Sequence, residues 1–170
     1  ILASGLTPEV ITDTIARVRA GAESVGRSID DLELWWLTKP YLSSTEEEGW
    51  HDLQWTLAGS ANHAFKFTFE GKFVPDQLHE PLRELMRGYA ADTHAKVAQG
   101  SHNASLVERL GLTEFLGRRF TLCGPPERVI ERLREAAAHG AANFLLTQMV
   151  ADRIGFMHTL DEAVLAPLRT

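Results

Sequence analysis

The sequence predicts an α/β fold in which helices cover a parallel sheet, amounting to about half of a (β/α)8 barrel. Three observations carry this expectation. Short apolar runs alternate with amphipathic stretches at both ends of the chain, the order that builds parallel strands joined by helical crossovers. The same strand-to-helix grammar occurs at Thr7-Pro8-Glu9 and again at Pro125-Pro126-Glu127, as at equivalent corners of a repeated βα unit. Finally, four strands are visible in 170 residues, whereas a complete barrel takes about 250 residues.

Taken in order, Ile1-Leu2-Ala3-Ser4-Gly5 reads as the end of a buried strand running straight into a helix. Thr7 suits the cap position, Pro8 the first helical position, where its missing N–H costs nothing, and Glu9 the positive end of the helix dipole. Val10, Ile11, Ile15, Val18 and Ala22 fall on one helical face, and Gly26 is a stop signal. Residues 32–38, LELWWLT, are apolar and aromatic enough for a buried strand, which Lys39-Pro40 is expected to end. Residues 46–60 predict a helix, because Trp50, Leu53 and Leu57 are spaced three and four apart, with Glu46–Glu48 as its solvated start.

From Asn62 to Phe73 the pattern is ambiguous. Phe65, Phe67 and Phe69 alternate as in a strand, yet Phe65, Phe69 and Phe73 fit a helix. Leu78, Leu82, Leu85, Met86 and Tyr89 predict a helix within residues 74–92, with Pro81 either an interruption or the true start. The polar stretch Gln99–Asn103 leads into a short helix bearing Leu106, Val107 and Leu110 and closed by Gly111. Phe120–Cys123 predicts a strand, and the helix after Pro126 has Val129, Ile130, Leu133 and Ala137 on one face and ends at Gly140. Asn143–Thr147 is the last strand, and the closing helix carries Leu160, Val164, Leu165 and Leu168. Residues 62–118, approximately, are thus a helical excursion, and the chain 1–170 is expected to form one domain.

Composition narrows the function. The chain is 44% hydrophobic, enough for a sizeable core. Its 17 Lys and Arg are scattered among 23 Asp and Glu, so no nucleic acid is expected as a partner. No apolar run approaches the ~20 residues that span a bilayer, and no signal peptide is present, so no membrane is expected either. The single cysteine, Cys123, excludes an intrachain disulfide and fits a cytoplasmic protein. Neither GxGxxG nor a P-loop occurs, and Leu57-Ala58-Gly59-Ser60-Ala61 lacks the second glycine of a nucleophile elbow. The seven histidines lack metal-ligand spacing, His94 and His102 included, and no metal is expected.

The residues with chemical potential each carry two readings. The small residues at the opening corner, ahead of a helix N-terminus, suit either an anion or simply a tight, capped turn. Lys39, at a strand end, faces an anionic cofactor or substrate, or else bulk water. Asn62-His63 is a site candidate or a surface pair, and Arg153 reaches a phosphate or caps a loop. Trp35 and Trp36 alternate, so that one faces the sheet's inner side and the other the helices; packing accounts for both, and Cys123 reads as a small core residue.

Residues 1–36, ILASGLTPEVITDTIARVRAGAESVGRSIDDLELWW, resemble the second half of the luciferase-like flavin oxidoreductases. That family includes bacterial luciferase, flavin monooxygenases and deazaflavin-dependent enzymes such as methylenetetrahydromethanopterin reductase. The resemblance rests on Ala3-Ser4-Gly5 after an apolar strand, Gly21-Ala22-Glu23 in the helix, and Gly26-Arg27 followed by Asp30 or Asp31. GPPERVIERLREAAAHGAANFLL, from Gly124, is similar to the family's penultimate helix and final strand.

The resemblance implies the C-terminal half of a TIM barrel with a helical insertion before the penultimate strand. Residue 1 then lies in the fifth strand, and the first four βα units belong to the rest of a longer chain or to a second polypeptide. A half-barrel alone would leave two apolar sheet edges open. The implied cofactor is FMN or a deazaflavin coenzyme, with Ser4, Gly5, Leu6 and Thr7 on the phosphate side and Lys39 near an anionic group. Leu6 departs from those deazaflavin-dependent members that carry a basic residue there. The implied reaction is hydride transfer or monooxygenation of a small-molecule substrate, with no catalytic residue assigned and a homodimer expected. The alternative is a non-enzymatic, barrel-derived assembly or flavin-binding protein.

Overall fold

The computed structural model describes residues 1–93 and 101–169. His94 and Gln99 lie outside the described residues. Helix α1 (Pro8–Glu23) begins where the proline signal put it, and Gly26, at a φ of 75°, turns the chain out of it. A 3-10 turn at Ile29–Asp31, held by the Ser28–Asp31 capping box, leads to β2 (Trp35–Leu42), while β1 is Leu2–Ser4.

Strand β2 differs from the expected 32–38. It passes through Lys39-Pro40 instead of ending there, because proline removes a single donor while Tyr41 and Leu42 still pair with Cys123 and Gly124 of β3 (Thr121–Gly124). The helix expected over 46–60 is two helices, α2 (Glu46–Asp52) and α3 (Gln54–Phe65), with a break at Leu53. The break serves two cores. Trp50 and Leu53 pack with Cys123 of the sheet, whereas Leu57, Ala58, Ala61 and Phe65 turn into a helical cluster.

Phe65–Phe73 is neither strand nor helix throughout: Phe65 closes α3, Phe67 is exposed, and Phe73 takes a positive φ of 52°. Pro81 lies in the first turn of α4 (His79–Gly88), so it marks a true start. Helices α5 (His102–Arg109) and α6 (Thr113–Phe120) complete the helical cluster, with Leu82, Leu85, Val107, Leu112 and Leu116 fully buried in it. Phe120 ends α6 instead of opening β3. After α7 (Pro126–Ala138) and β4 (Asn143–Leu146), α8 (Arg153–Leu160) continues through a π turn at Asp161–Leu165.

All four strands are parallel, and β2 is the hub. Leu2–Ser4 and Asn143–Leu146 both pair with its first half, and therefore on opposite edges; β3 pairs with its second half. Successive barrel strands would each lie beside the next. That order holds from β1 to β2 and from β2 to β3, but β4 lies beside β2, where it covers the edge at Trp35–Thr38. Ala3, Trp36, Leu122 and Phe144 point to one side and pack with Ile11, Val129, Leu133 and Val164 of the helices.

Gly117 shows how closely α6 meets α2: a Cβ there would run into the indole ring of Trp50. Gly117→Ala is expected to destabilise the fold by about 1–3 kcal/mol through overpacking. A lowered urea midpoint at unchanged slope is the expected reading.

Candidate active site

Because side chains alternate along strands, Ser4, Leu37, Lys39 and Leu145 share the sheet face opposite Trp36. Helices α2 and α3 cover one end of this face, seating Trp50 and Leu53 over Cys123. The other end is open, and Ile1, Leu2, Trp35 and Leu145 there line a shallow apolar hollow of about 400 Å³. Between the two lies a cleft of about 680 Å³. Its floor is Ser4, Leu37 and Lys39, one wall is Trp55, Thr56, Gly59, Ser60 and His63 of α3, and the other is Leu145–Val150 with Arg153.

Lys39 is the cleft's chemical centre. It is 8% exposed, and its ammonium donates to Ser60 Oγ at 2.7 Å, while that hydroxyl donates onward to the Thr56 carbonyl at 3.4 Å. No carboxylate among the described residues pairs with it, and burial pulls its pKa down from 10.5 to about 8. No Asp or Glu is among the cleft-lining residues, whose ionisable groups are Lys39, His63 and Arg153, although the chain as a whole carries a net charge of −6.

Beyond the α2 end, Tyr41 donates to Asp52 at 2.9 Å, and burial with that acceptor raises its pKa to about 12. Cys123 is buried beneath Trp50, its thiol pushed up to about 12 by burial, which fits a structural core cysteine. No group of metal-ligating side chains occurs among the described residues, and no helix among them is long and apolar enough to cross a membrane.

Of the five residues expected on the cofactor side, the structure brings Ser4 and Lys39 into one cleft. Gly5, Leu6 and Thr7 do not line it. Gly5 is a corner that needs glycine, with a φ of 97° and only 2.9 Å between an added Cβ and Val10. Leu6 is buried against the helices, and its N–H donates to the Arg119 carbonyl at 2.8 Å. The Thr7 hydroxyl donates to Glu9 at 2.6 Å, so a carboxylate already stands at this helix start. Arg119 itself is buried over Phe65, Phe115 and Phe120, with ring centroids 5.1–6.0 Å away.

His63 and Arg153, each weighed against a surface or capping role, both line the cleft. Thr56, Ser60, Thr147 and Gln148 went unnoticed in the sequence. A signal for the first two existed: Thr56, Ser60 and His63 recur at four and three residues, a polar stripe opposite the apolar Leu57, Ala61 and Phe65.

Comparison with known proteins bears on this geometry. The family model described as luciferase-like monooxygenase matches residues 1–143. Among solved structures, that of coenzyme F420 dependent tetrahydromethanopterin reductase from Methanopyrus kandleri superposes with a TM-score of 0.61 at 16% sequence identity. The match covers 98% of this chain but 44% of the reductase chain, so this chain spans less than half the length of that relative. At that identity the likeness speaks for the α/β fold with its parallel sheet. No curated protein sequence matches significantly. A family match over residues 1–143 of 170 decides membership: the chain belongs to the luciferase-like monooxygenase family.

Proposed function

We propose that the chain is the C-terminal half of a (β/α)8 barrel in a flavin- or deazaflavin-dependent oxidoreductase, and that its cleft receives part of that cofactor beside a small-molecule substrate. One observation carries the reading: the cleft lies beside the carboxyl ends of β1 and β4, the strand ends where barrel enzymes build their sites, and holds a buried lysine of β2 with no counter-charge among the described residues. The residues fit such a group. A cleft of about 680 Å³ lies within the usual ligand range of about 300–1,000 Å³. Trp55, Leu37 and Leu145 offer apolar walls for a planar ring system, and Lys39 offers charge for an anionic substituent.

When bound, a flavin or deazaflavin supplies hydride transfer or, in a reduced flavin with oxygen, monooxygenation. This chain's own residues do the rest. Lys39, held by Ser60, fixes an anionic group; Trp55, Leu145 and Met149 exclude water; Thr147 and Gln148 line the wall beside them. In this reading helices α4–α6 are the insertion before the penultimate strand. The preceding βα units, from a longer chain or a second one, cover the open face at Ile1, Leu2, Trp35 and Leu145. That exposed apolar face also favours the second reading, a barrel-derived assembly protein that pairs through it.

Titration of the purified protein with FMN and with a deazaflavin coenzyme, followed by the cofactor's fluorescence, separates the two. Saturable uptake of either at about one per chain is the expected result. If neither binds, also when the preceding βα units are present, the oxidoreductase reading fails and the assembly reading remains.

A further inference from the structure

We infer that the cleft selects organic anions: an apolar or aromatic body lies between Trp55 and Leu145, and a carboxylate or phosphate oxygen binds the Lys39 ammonium beside the Ser60 hydroxyl. The inference takes up the same cleft as the proposed function and deepens it, without requiring that the body be a flavin.

The argument starts from charge. An ammonium taken out of water costs several kcal/mol unless an opposite charge repays it, and buried charges are as a rule paired. Lys39 is 8% exposed, and among the described residues its ammonium meets a neutral hydroxyl 2.7 Å away. Of the two buried arginines, Arg132, 6% exposed, meets Glu46 at 3.0 Å, and Arg119, 5% exposed, is packed over three phenylalanine rings. The cleft brings Lys39 and Arg153 together with no carboxylate among its described lining residues, in a chain with net charge −6. An ammonium has three donors. Ser60 takes one of them at Lys39, and the cleft gives the others access to a ligand oxygen.

Ser60 sets the geometry. Its hydroxyl accepts from Lys39 and donates to the Thr56 carbonyl at 3.4 Å, which holds the ammonium against α3 and fixes where a ligand oxygen must come. The surrounding Leu37, Trp55, Leu145 and Met149 then exclude water from the ion pair, which strengthens it. With the lysine's pKa at about 8, the seat is charged at neutral pH and discharges just above it, so anion affinity falls as pH rises from 7 to 9.

The anion can belong to the cofactor's phosphate or to a separate organic acid, and one experiment separates these sources. Binding of 1-naphthoate and of its neutral amide, and of FMN and riboflavin, is measured on the purified protein and on Lys39→Met and Ser60→Ala. In the wild type, 1-naphthoate is expected to bind about tenfold to a hundredfold more tightly than 1-naphthamide. That preference should vanish in Lys39→Met, shrink in Ser60→Ala and decline between pH 7 and 9.

If the FMN-over-riboflavin preference vanishes together with it in Lys39→Met, the seat takes the cofactor's phosphate. If that preference survives, the seat takes a separate acid. Lys39-dependent naphthoate binding without any flavin binding, also when the preceding βα units are present, would sink the flavin reading and leave this one standing. Equal affinity for 1-naphthoate and 1-naphthamide, or a preference that survives Lys39→Met, overturns the inference. Amide affinity, which does not involve charge, reports whether the variant cleft is intact.

Discussion

Replacing Glu46 by alanine is expected to cost the fold about 3–5 kcal/mol, the range for breaking a buried ion pair from one side. Glu46 begins α2 with its side chain 14% exposed. It accepts from Arg128 Nε at 2.9 Å and from Arg132 Nη1 at 3.0 Å, and so fastens α2 to α7. Arg132 is 6% exposed, and after the substitution it keeps a hydrogen bond to the Arg118 carbonyl at 2.7 Å and only a long, half-exposed ion pair with Glu135 at 4.0 Å. The charge left behind, more than the bond lost, sets the size of the effect. Glu131, which also meets Arg128 but is 67% exposed, should cost under about 1 kcal/mol when removed. Urea unfolding of the two variants makes the comparison, and equal small losses would refute the assignment. The double variant Glu46→Leu with Arg132→Met should regain much of the loss, since no unpaired charge remains.

Lys39→Met has the opposite sign: it is expected to stabilise the fold at pH 7. Burial lowers the lysine's pKa from 10.5 to about 8 in the folded chain, so folding disfavours the charged form. The linkage follows from proton counts. Below about pH 8 both folded and unfolded chains hold the proton and the full penalty applies. Between about 8 and 10.5 the unfolded chain holds more protons, and stability from this group rises with pH. The shift amounts to roughly 3 kcal/mol. The variant should therefore exceed the wild type by about that much at pH 7, and the gap should close as pH rises towards 10.5. Comparing the two proteins at each pH is essential. Cys123 and Tyr41, both raised to about 12, lose stability above their unfolded values of 9.0 and 10.0 in either protein, and those losses cancel in the difference. A gap of constant size across this range would show that Lys39 is not the titrating group.

The sequence carried much of the fold because its punctuation is strong. Pro8 and Pro126 opened helices where proline can, and Gly26 and Gly111 closed segments by adopting positive φ. Tertiary demands decided what local pattern could not. Leu53 breaks a helix that periodicity made continuous, because Trp50 and Leu57 serve different cores. Pro40 sits inside a strand because its neighbours keep their pairing with β3. Glu46 looked like a solvated first turn, and nothing local announces Arg128 and Arg132, more than eighty positions away.

The cleft was half legible. Ser4 stood at a strand end, where chemistry is sought; Lys39, expected at another, lies inside β2 but on the face that lines the cleft. Ser60 was passed over with the incomplete nucleophile elbow, although Thr56, Ser60 and His63 share one helix face. The opening corner, the first place to seek an anion, already has Glu9 hydrogen-bonded across it.

The hub position of β2 also bears on how the molecule assembles. Trp35 pairs with Leu2 on one side and with Asn143 on the other, so the strand's two flanks come from segments more than a hundred positions apart. Closing so long a loop brings little reward until its last partner arrives, which slows folding. The cleft on the sheet's face is complete only when all of these pairings are made.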